Sequence, residues 1–307
     1  MNTIHPSAVI GKNVVLGKNN EIGPHAVIQD GVKIGSENIF YPNVHISTGT
    51  EIGDGNEIHM GAIIGHTPQD LAFKKGTRSF TKIGNRNILR EYITIHRGTK
   101  EGTATLIGDD NYLMANTHVA HNCEIGNRVI MVNLASLSGY CVVEDQAFIS
   151  GMVGLHQFTR IGRLAILSAL SAVNKDVPPF FMAGGRPARA QGLNAVGLRR
   201  AGISPAVREE IKQAFKLLYR SGFSVSHAME IIAKELHSPE VKYLVSFIRA
   251  AKRGIVTARD GAVKGRPFGS PPAHGMKPRA GTAPDPRAKP GAPSAVEMKE
   301  ADELAGE

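Results

Sequence analysis

The side chains best suited to proton transfer in this 307-residue chain lie in two short segments. One is Asn116-Thr117-His118-Val119-Ala120-His121-Asn122-Cys123, and the other is Gly154-Leu155-His156-Gln157-Phe158. Imidazole titrates near neutral pH, so a positioned histidine can take a proton from a hydroxyl during acyl transfer. A glycine beside such a base leaves a bare backbone N–H able to hold a developing oxyanion. These groups act together only if the fold stacks residues that are far apart in sequence.

A repeat supplies that stacking. Ile4, Ile10, Leu16, Ile22, Ile28, Ile34, Phe40, Ile46, Ile52, Ile58 and Ile64 recur every sixth residue. The beat resumes at Ile83, Leu89 and Ile95, and runs again from Ile107 to Val173. A period of six fits neither an amphipathic helix nor a lone strand, and it predicts a parallel β-helix of hexapeptides. Three hexads close one triangular coil, so eighteen residues advance the chain by one strand spacing, about 4.8 Å. The aliphatic residue points inward, and a compact residue two places earlier, such as Ala26, Val32 or Asn38, sits near the corner. Glycines following the aliphatic position, such as Gly11, Gly17 and Gly35, are expected to ease the turn through positive φ. Residues eighteen apart then lie above one another, which builds a column of His121, Gly139 and Gln157 with His118 and His156 beside it. Cys123 and Cys141 obey the same rule, and as stacked thiols they fill a small buried niche.

Two stretches break the beat. Residues 66–82, HTPQDLAFKKGTRSFTK, shift its register by one, and residues 97–106 lack the aliphatic residue. Irregular excursions from a regular solenoid are often functional, and the first carries Gln69, Asp70 and two lysines. After Val173 an irregular exit with three prolines leads to Ser204-Pro205, a cap followed by proline at the first helical position. Ile211, Ala214, Phe215, Leu218 and Tyr219 form an apolar stripe, and further helices are expected near 224–237 and 239–253. These helices are placed to cover the open end of the solenoid. The expected organisation is a β-helix over 1–193, an α-helical C-terminal domain over 194–253 and a disordered Pro/Ala-rich tail over 254–307, which holds eight of the 17 prolines.

Composition narrows the class. Two cysteines exclude a disulfide scaffold, and no run of about 18 apolar residues is long enough for a membrane span. The start, MNTIHPSAVIGKN, lacks the basic and apolar regions of a secretory signal, so a cytoplasmic protein is expected. The net charge of +9 lies almost wholly in residues 1–253 and attracts anions. Nucleic acid, sugar nucleotides, phosphopantetheine carriers and acidic proteins all meet that condition.

An ordered set of motifs makes the reading specific. Ile95-His96-Arg97-Gly98-Thr99, the run from His118 to Cys123, Gly151 to Phe158, Asp176-Val177-Pro178-Pro179 and Tyr219-Arg220-Ser221-Gly222 resemble segments of the acyl-carrier-protein:UDP-N-acetylglucosamine O-acyltransferases (LpxA) across residues 1–253. The resemblance implies an all-β left-handed parallel β-helix with a small α-helical C-terminal domain, assembled as a homotrimer with sites between subunits. It implies transfer of an (R)-3-hydroxyacyl chain from acyl carrier protein to the 3-position of UDP-N-acetylglucosamine, the first step of lipid A biosynthesis. No metal, cofactor, nucleic-acid partner or stable membrane insertion is implied. By the same resemblance His121 is the general base, Gly139 the oxyanion donor, and Asp70 a residue that orients the base or the sugar hydroxyl. His118, His156, Gln157 and Gln69 position substrate, Asn194 and Arg200 lie on the nucleotide side, and Ala169 is the acyl-chain ruler, small enough for a long chain. The chain departs from the family's pattern at Ala72, Asn122, Tyr140 and Ala201. Hexapeptide zinc enzymes of the γ-carbonic anhydrase type are the alternative on the same fold. They pair histidines five apart, whereas 118 and 121 are three apart.

Overall fold

The computed structural model describes residues 1–258. Most hexads contribute a strand of two residues, such as His118–Val119, in which the second side chain points inward and is buried. The strands form three parallel sheets of 11, nine and eight strands, joined so that every third strand is a neighbour. Among the described residues only the pair Phe181–Gly185 and Ala188–Leu193 is antiparallel, at the end of the first sheet. The result is a left-handed parallel β-helix of hexapeptide coils. Its core is a stack of inward aliphatic residues; Val119 pairs with Leu137 and Leu137 with Leu155, all buried.

The corners differ from the expectation for glycine. The left-handed residue is the third one after most inward aliphatic residues, and it is mostly not glycine: Asn13, Asn19, Asn43, Asn116 and Asn122, but also Tyr140, Phe158 and Leu170, have φ between 56° and 64°. Of the glycines directly after an aliphatic residue in the first coils, only Gly65, at the mouth of the first excursion, has positive φ. The others answer to close approach. A Cβ on Gly35 would lie 2.7 Å from the Gly53 carbonyl oxygen of the next coil.

Eighteen-residue stacking holds within uninterrupted coils and lengthens at the two excursions. Ile52 pairs with Ile83 and Ile83 with Ile107, so the chain carries thirteen extra residues at the first excursion and six at the second. The excursions leave the second sheet after the strands Ile63–His66 and Thr94–His96, one coil apart. Both therefore emerge beside the corner that carries His121.

The helical part comprises α1 (Ala195–Arg200), α2 (Pro205–Tyr219), α3 (Val225–Glu235) and α4 (Pro239–Ala250). Ser204, Ser224 and Ser238 cap α2, α3 and α4 through their hydroxyls. Ile211, Ala214, Phe215, Leu218 and Tyr219 turn inward as the stripe required, and Phe181 from the last strand pair packs edge-on against Phe215. Tyr243 of α4 donates to Glu144 on the third sheet, which also pairs with Arg160. The expected tail lies outside the described residues from 259 onward. Its first five residues are ordered, because Ile255 and Val256 are buried, Val256 N–H donates to the Asp176 carbonyl at 2.9 Å, and Ala190 N–H donates to Thr257 at 2.9 Å.

Inside one corner runs an asparagine ladder of Asn20, Asn38, Asn56, Asn87 and Asn111, all buried. Each Oδ1 accepts from the backbone N–H of the next rung, as Asn56 does from Asn87 at 2.9 Å. Removing one amide orphans groups on both neighbouring coils, at about 1–3 kcal/mol for each buried polar group left unpaired. Asn56→Ala is expected to lower the thermal midpoint well below that of Asn2→Ala at the half-exposed end of the stack, as read by calorimetry.

Candidate active site

His121 sits two residues past the inward Val119, at the corner that follows the second sheet, and is 6% exposed. The corner is built by stacking: Tyr140 N–H donates to the His121 carbonyl at 3.0 Å, and Phe158 N–H to the Gly139 carbonyl at 3.1 Å. His121, Gly139 and Gln157 thus form the column expected from the period. A cavity of about 260 Å³ opens on it, lined by Gln69, His96, His118, His121, Gly139 and Gln157, among others.

Gly139 has a specific reason to lack a side chain. A Cβ there would lie 2.3 Å from His121 Cε1 and 2.5 Å from Nε2. Gly139 is buried, and its N–H has no acceptor among the described residues. At the corner after the third sheet the same N–H is filled from the next coil, as Asn127 N–H is by Asp145 Oδ1 at 2.8 Å. The Cys123 thiol donates to the Ser138 carbonyl at 3.1 Å. Carbonyl and N–H of a trans peptide point opposite ways, so this contact turns the Gly139 N–H away from the interior. Cys141 makes the matching contact to the His156 carbonyl at 3.2 Å, and both cysteines are free and buried.

The orientation of His121 follows from its neighbours. Its Nδ1 lies 3.1 Å from Asn122 Oδ1, and the same oxygen takes the Thr99 backbone N–H at 3.0 Å. A backbone N–H only donates, so that atom of Asn122 is the carbonyl oxygen and His121 Nδ1 carries the proton. Nε2 is left with its lone pair, 4.0 Å from Asp70 Oδ2. Asp70 is anchored in the first excursion, where its Oδ1 accepts from Ala72 N–H at 2.9 Å.

His118 is half-buried, with Nδ1 2.7 Å from Thr94 Oγ1; burial, and then the neighbouring His121, push its pKa down. His96 stacks edge-on against it at 4.9 Å. Burial first, then the positive fields of His118 and other histidines, push His96 down to about 4. His96 lines the cavity but stands outside the candidates chosen from sequence; its place in Ile95-His96-Arg97-Gly98-Thr99 was the available signal. The remaining candidates do not line this cavity. His156 is exposed, with Nδ1 3.1 Å from the Gln157 carbonyl. Asn194 has both ends of its amide in use, Oδ1 capping α1 at Gly197 and Nδ2 donating to the Leu164 carbonyl. Arg200 is exposed at the end of α1, and Ala169 is exposed at the corner between the first and second sheets. Among the described residues, no three His, Cys, Asp or Glu side chains are grouped to hold a metal ion.

Hexapeptide coils stacked as a left-handed β-helix, with helices after the last coil, are the architecture of hexapeptide-repeat transferases. Comparisons with known proteins agree. Residues 104–138 match the family described as bacterial transferase hexapeptide (six repeats), and residues 176–256 match UDP-N-acetylglucosamine O-acyltransferase, domain 2. The chain is 47% identical over 257 residues to the acyl-[acyl-carrier-protein]–UDP-N-acetylglucosamine O-acyltransferase of Thermodesulfovibrio yellowstonii, covering 83% of this chain and 99% of that one. It superposes on the UDP-N-acetylglucosamine acyltransferase of Francisella novicida with a TM-score of 0.81 at 35% identity, covering 85% and 95% of the two chains. LpxA from Bacteroides fragilis gives 0.80 at 39% identity, covering 83% and 100%. The chain belongs to the acyl-[acyl-carrier-protein]–UDP-N-acetylglucosamine O-acyltransferase family.

The buried histidines bear on stability. A histidine whose folded pKa is depressed contributes stability that is fully present above its unfolded value and is lost as pH falls through the folded one. For His96 that window runs from 6.5 down to about 4. Resistance to urea is expected to fall across it, and His96→Asn to flatten the slope relative to wild type.

Proposed function

We propose that this protein transfers an (R)-3-hydroxyacyl chain from acyl carrier protein to the 3-hydroxyl of UDP-N-acetylglucosamine, in the cytoplasm, as the first step of lipid A biosynthesis. The observation that carries the proposal is the lone pair of His121 Nε2 facing a cavity beside the unpaired Gly139 N–H. In this reading Nε2 takes the proton of the sugar hydroxyl while that oxygen attacks the thioester carbonyl carbon. The Gly139 N–H accommodates the negative charge on the carbonyl oxygen. Collapse breaks the C–S bond, and the leaving thiolate takes the proton back from the His121 imidazolium. The thioester is already activated, so no acyl-enzyme is required. Asp70, with one oxygen 4.0 Å from Nε2, is placed to orient the incoming hydroxyl.

Gln69, His118 and Gln157 line the same cavity and are assigned to substrate positioning, as is His156, the exposed neighbour of Gln157. A homotrimer accounts for the residues that one chain leaves apart. Leu134, Met152 and Leu170 stack along one corner at 47%, 55% and 51% exposure, an apolar stripe suited to a sister chain. Ala169, beside Leu170, is then the chain-length ruler along that boundary, and Asn194 and Arg200 approach the nucleotide from a neighbouring subunit. An Arg200 guanidinium suits a diphosphate.

His121→Ala is expected to lower turnover by roughly a hundredfold or more while leaving the thermal midpoint near wild type. The assay uses 3-hydroxyacyl carrier protein and UDP-N-acetylglucosamine, with product mass identifying the chain and acceptor taken. Near-normal turnover by the variant removes His121 from the chemistry.

A further inference from the structure

The second excursion has no part in the reaction as described so far, yet it reaches the base through one residue. Thr99 donates twice to Asn122 Oδ1, from its backbone N–H at 3.0 Å and from its hydroxyl at 3.0 Å. Tyr140, one coil further on, has its hydroxyl 3.1 Å from Thr99 Oγ1. With Thr99 Oγ1–H directed at Asn122, the Tyr140 O–H is the donor to Thr99. Two donors of Thr99 thus converge on one amide oxygen, which also takes His121 Nδ1–H at 3.1 Å. Asn122 is held from the other side as well, since its N–H donates to Thr105 Oγ1 at 2.8 Å and its backbone is left-handed at φ 58°. The six inserted residues that displace Ile107 from regular stacking are what bring Thr99 into range.

We propose that the excursion at 97–103 is a positioning element for the base: Thr99, supported by Tyr140, locks the neutral Asn122 amide so that its oxygen accepts from His121 Nδ1 and Nε2 is kept as the proton acceptor. This rests on the assignment of His121 as general base. Thr99 and Asn122 touch no substrate in it and act only through His121. A neutral amide selects the tautomer without adding negative charge at Nδ1. The ionisable groups facing His121 are Asp70 from the first excursion, His118 and His96 from the second sheet, and Tyr140 from the next coil. Replacing the amide by a carboxylate adds a charge that favours the imidazolium.

The test is steady-state kinetics across pH on four variants. Asn122→Gly removes the amide and keeps the left-handed backbone accessible. It is expected to lower kcat about tenfold to a hundredfold, with KM for the sugar nucleotide within about twofold of wild type. Asn122→Asp keeps the acceptor, so it is expected to retain activity and to move the acidic limb of the profile to higher pH. Thr99→Val, which removes the hydroxyl's bonds to Asn122 and Tyr140 but keeps the backbone bond, is expected to lower kcat about two- to tenfold, and Thr99→Ser to restore it. Wild-type kcat for Asn122→Gly, or for Thr99→Val should the first variant not fold, overturns the proposal while a dead His121→Ala leaves the base assignment standing. An active His121→Ala removes the assignment itself, so the two failures are separable. An unshifted acidic limb in Asn122→Asp also counts against the proposal.

Discussion

Coils stacked at one strand spacing, about 4.8 Å, impose the constraint on which the rest of this structure depends. At that distance a side chain lying along a corner occupies the space that the next coil's Cβ would fill. The chain meets this in two ways. Where the next coil's backbone and a short polar side chain close in, as Gly53 and Asp54 do over Gly35, glycine permits the close approach. Where a ring fills the corner, as His121 does beside Gly139, glycine one coil on makes the room and its N–H has no acceptor among the described residues. Base and amide are therefore one steric solution, and moving either moves both.

The ring also needs a dry and electrically quiet setting. His118 and His96, stacked edge-on beside the cavity, are pushed toward the neutral form by burial, so near neutral pH they add little positive field against a proton arriving at His121. Asp70 supplies a carboxylate 4.0 Å from Nε2, too far for a direct hydrogen bond. That gap leaves a place for a hydroxyl in the proposed reaction.

Much of this was legible in the sequence because a hexapeptide prism is nearly a one-dimensional object. Six-residue spacing predicts three sheets, and eighteen-residue spacing places His121, Gly139 and Gln157 in one column. What escaped was whatever depends on side-chain direction or on breaks in the period. The left-handed corner residue was assigned to glycine, while asparagine, tyrosine, phenylalanine and leucine take it because coil stacking overrides intrinsic backbone preference. Gly139 was read for its exposed amide, but its lack of a Cβ matters equally. Thr99 stood in the segment Ile95 to Thr99 but was not among the candidates, since its bond to Asn122 crosses an excursion whose path no periodicity describes. Nor did the sequence show that the Asn194 amide caps α1 and holds the Leu164 carbonyl within its own chain. Residues 254–258, Gly-Ile-Val-Thr-Ala, were grouped with the tail, yet Ile255 and Val256 are buried and Val256 N–H donates to the Asp176 carbonyl.

The most direct test of the steric account is Gly139→Ala, compared with Gly192→Ala, where an added Cβ meets nothing within 4 Å. A displacement of the reacting groups by about 1 Å costs on the order of a hundredfold in rate. The account predicts a loss of that size in kcat/KM for Gly139→Ala, an unchanged thermal midpoint, and near-wild-type behaviour for the control. Full activity in Gly139→Ala, with the imidazole undisplaced in its crystal structure, would contradict it.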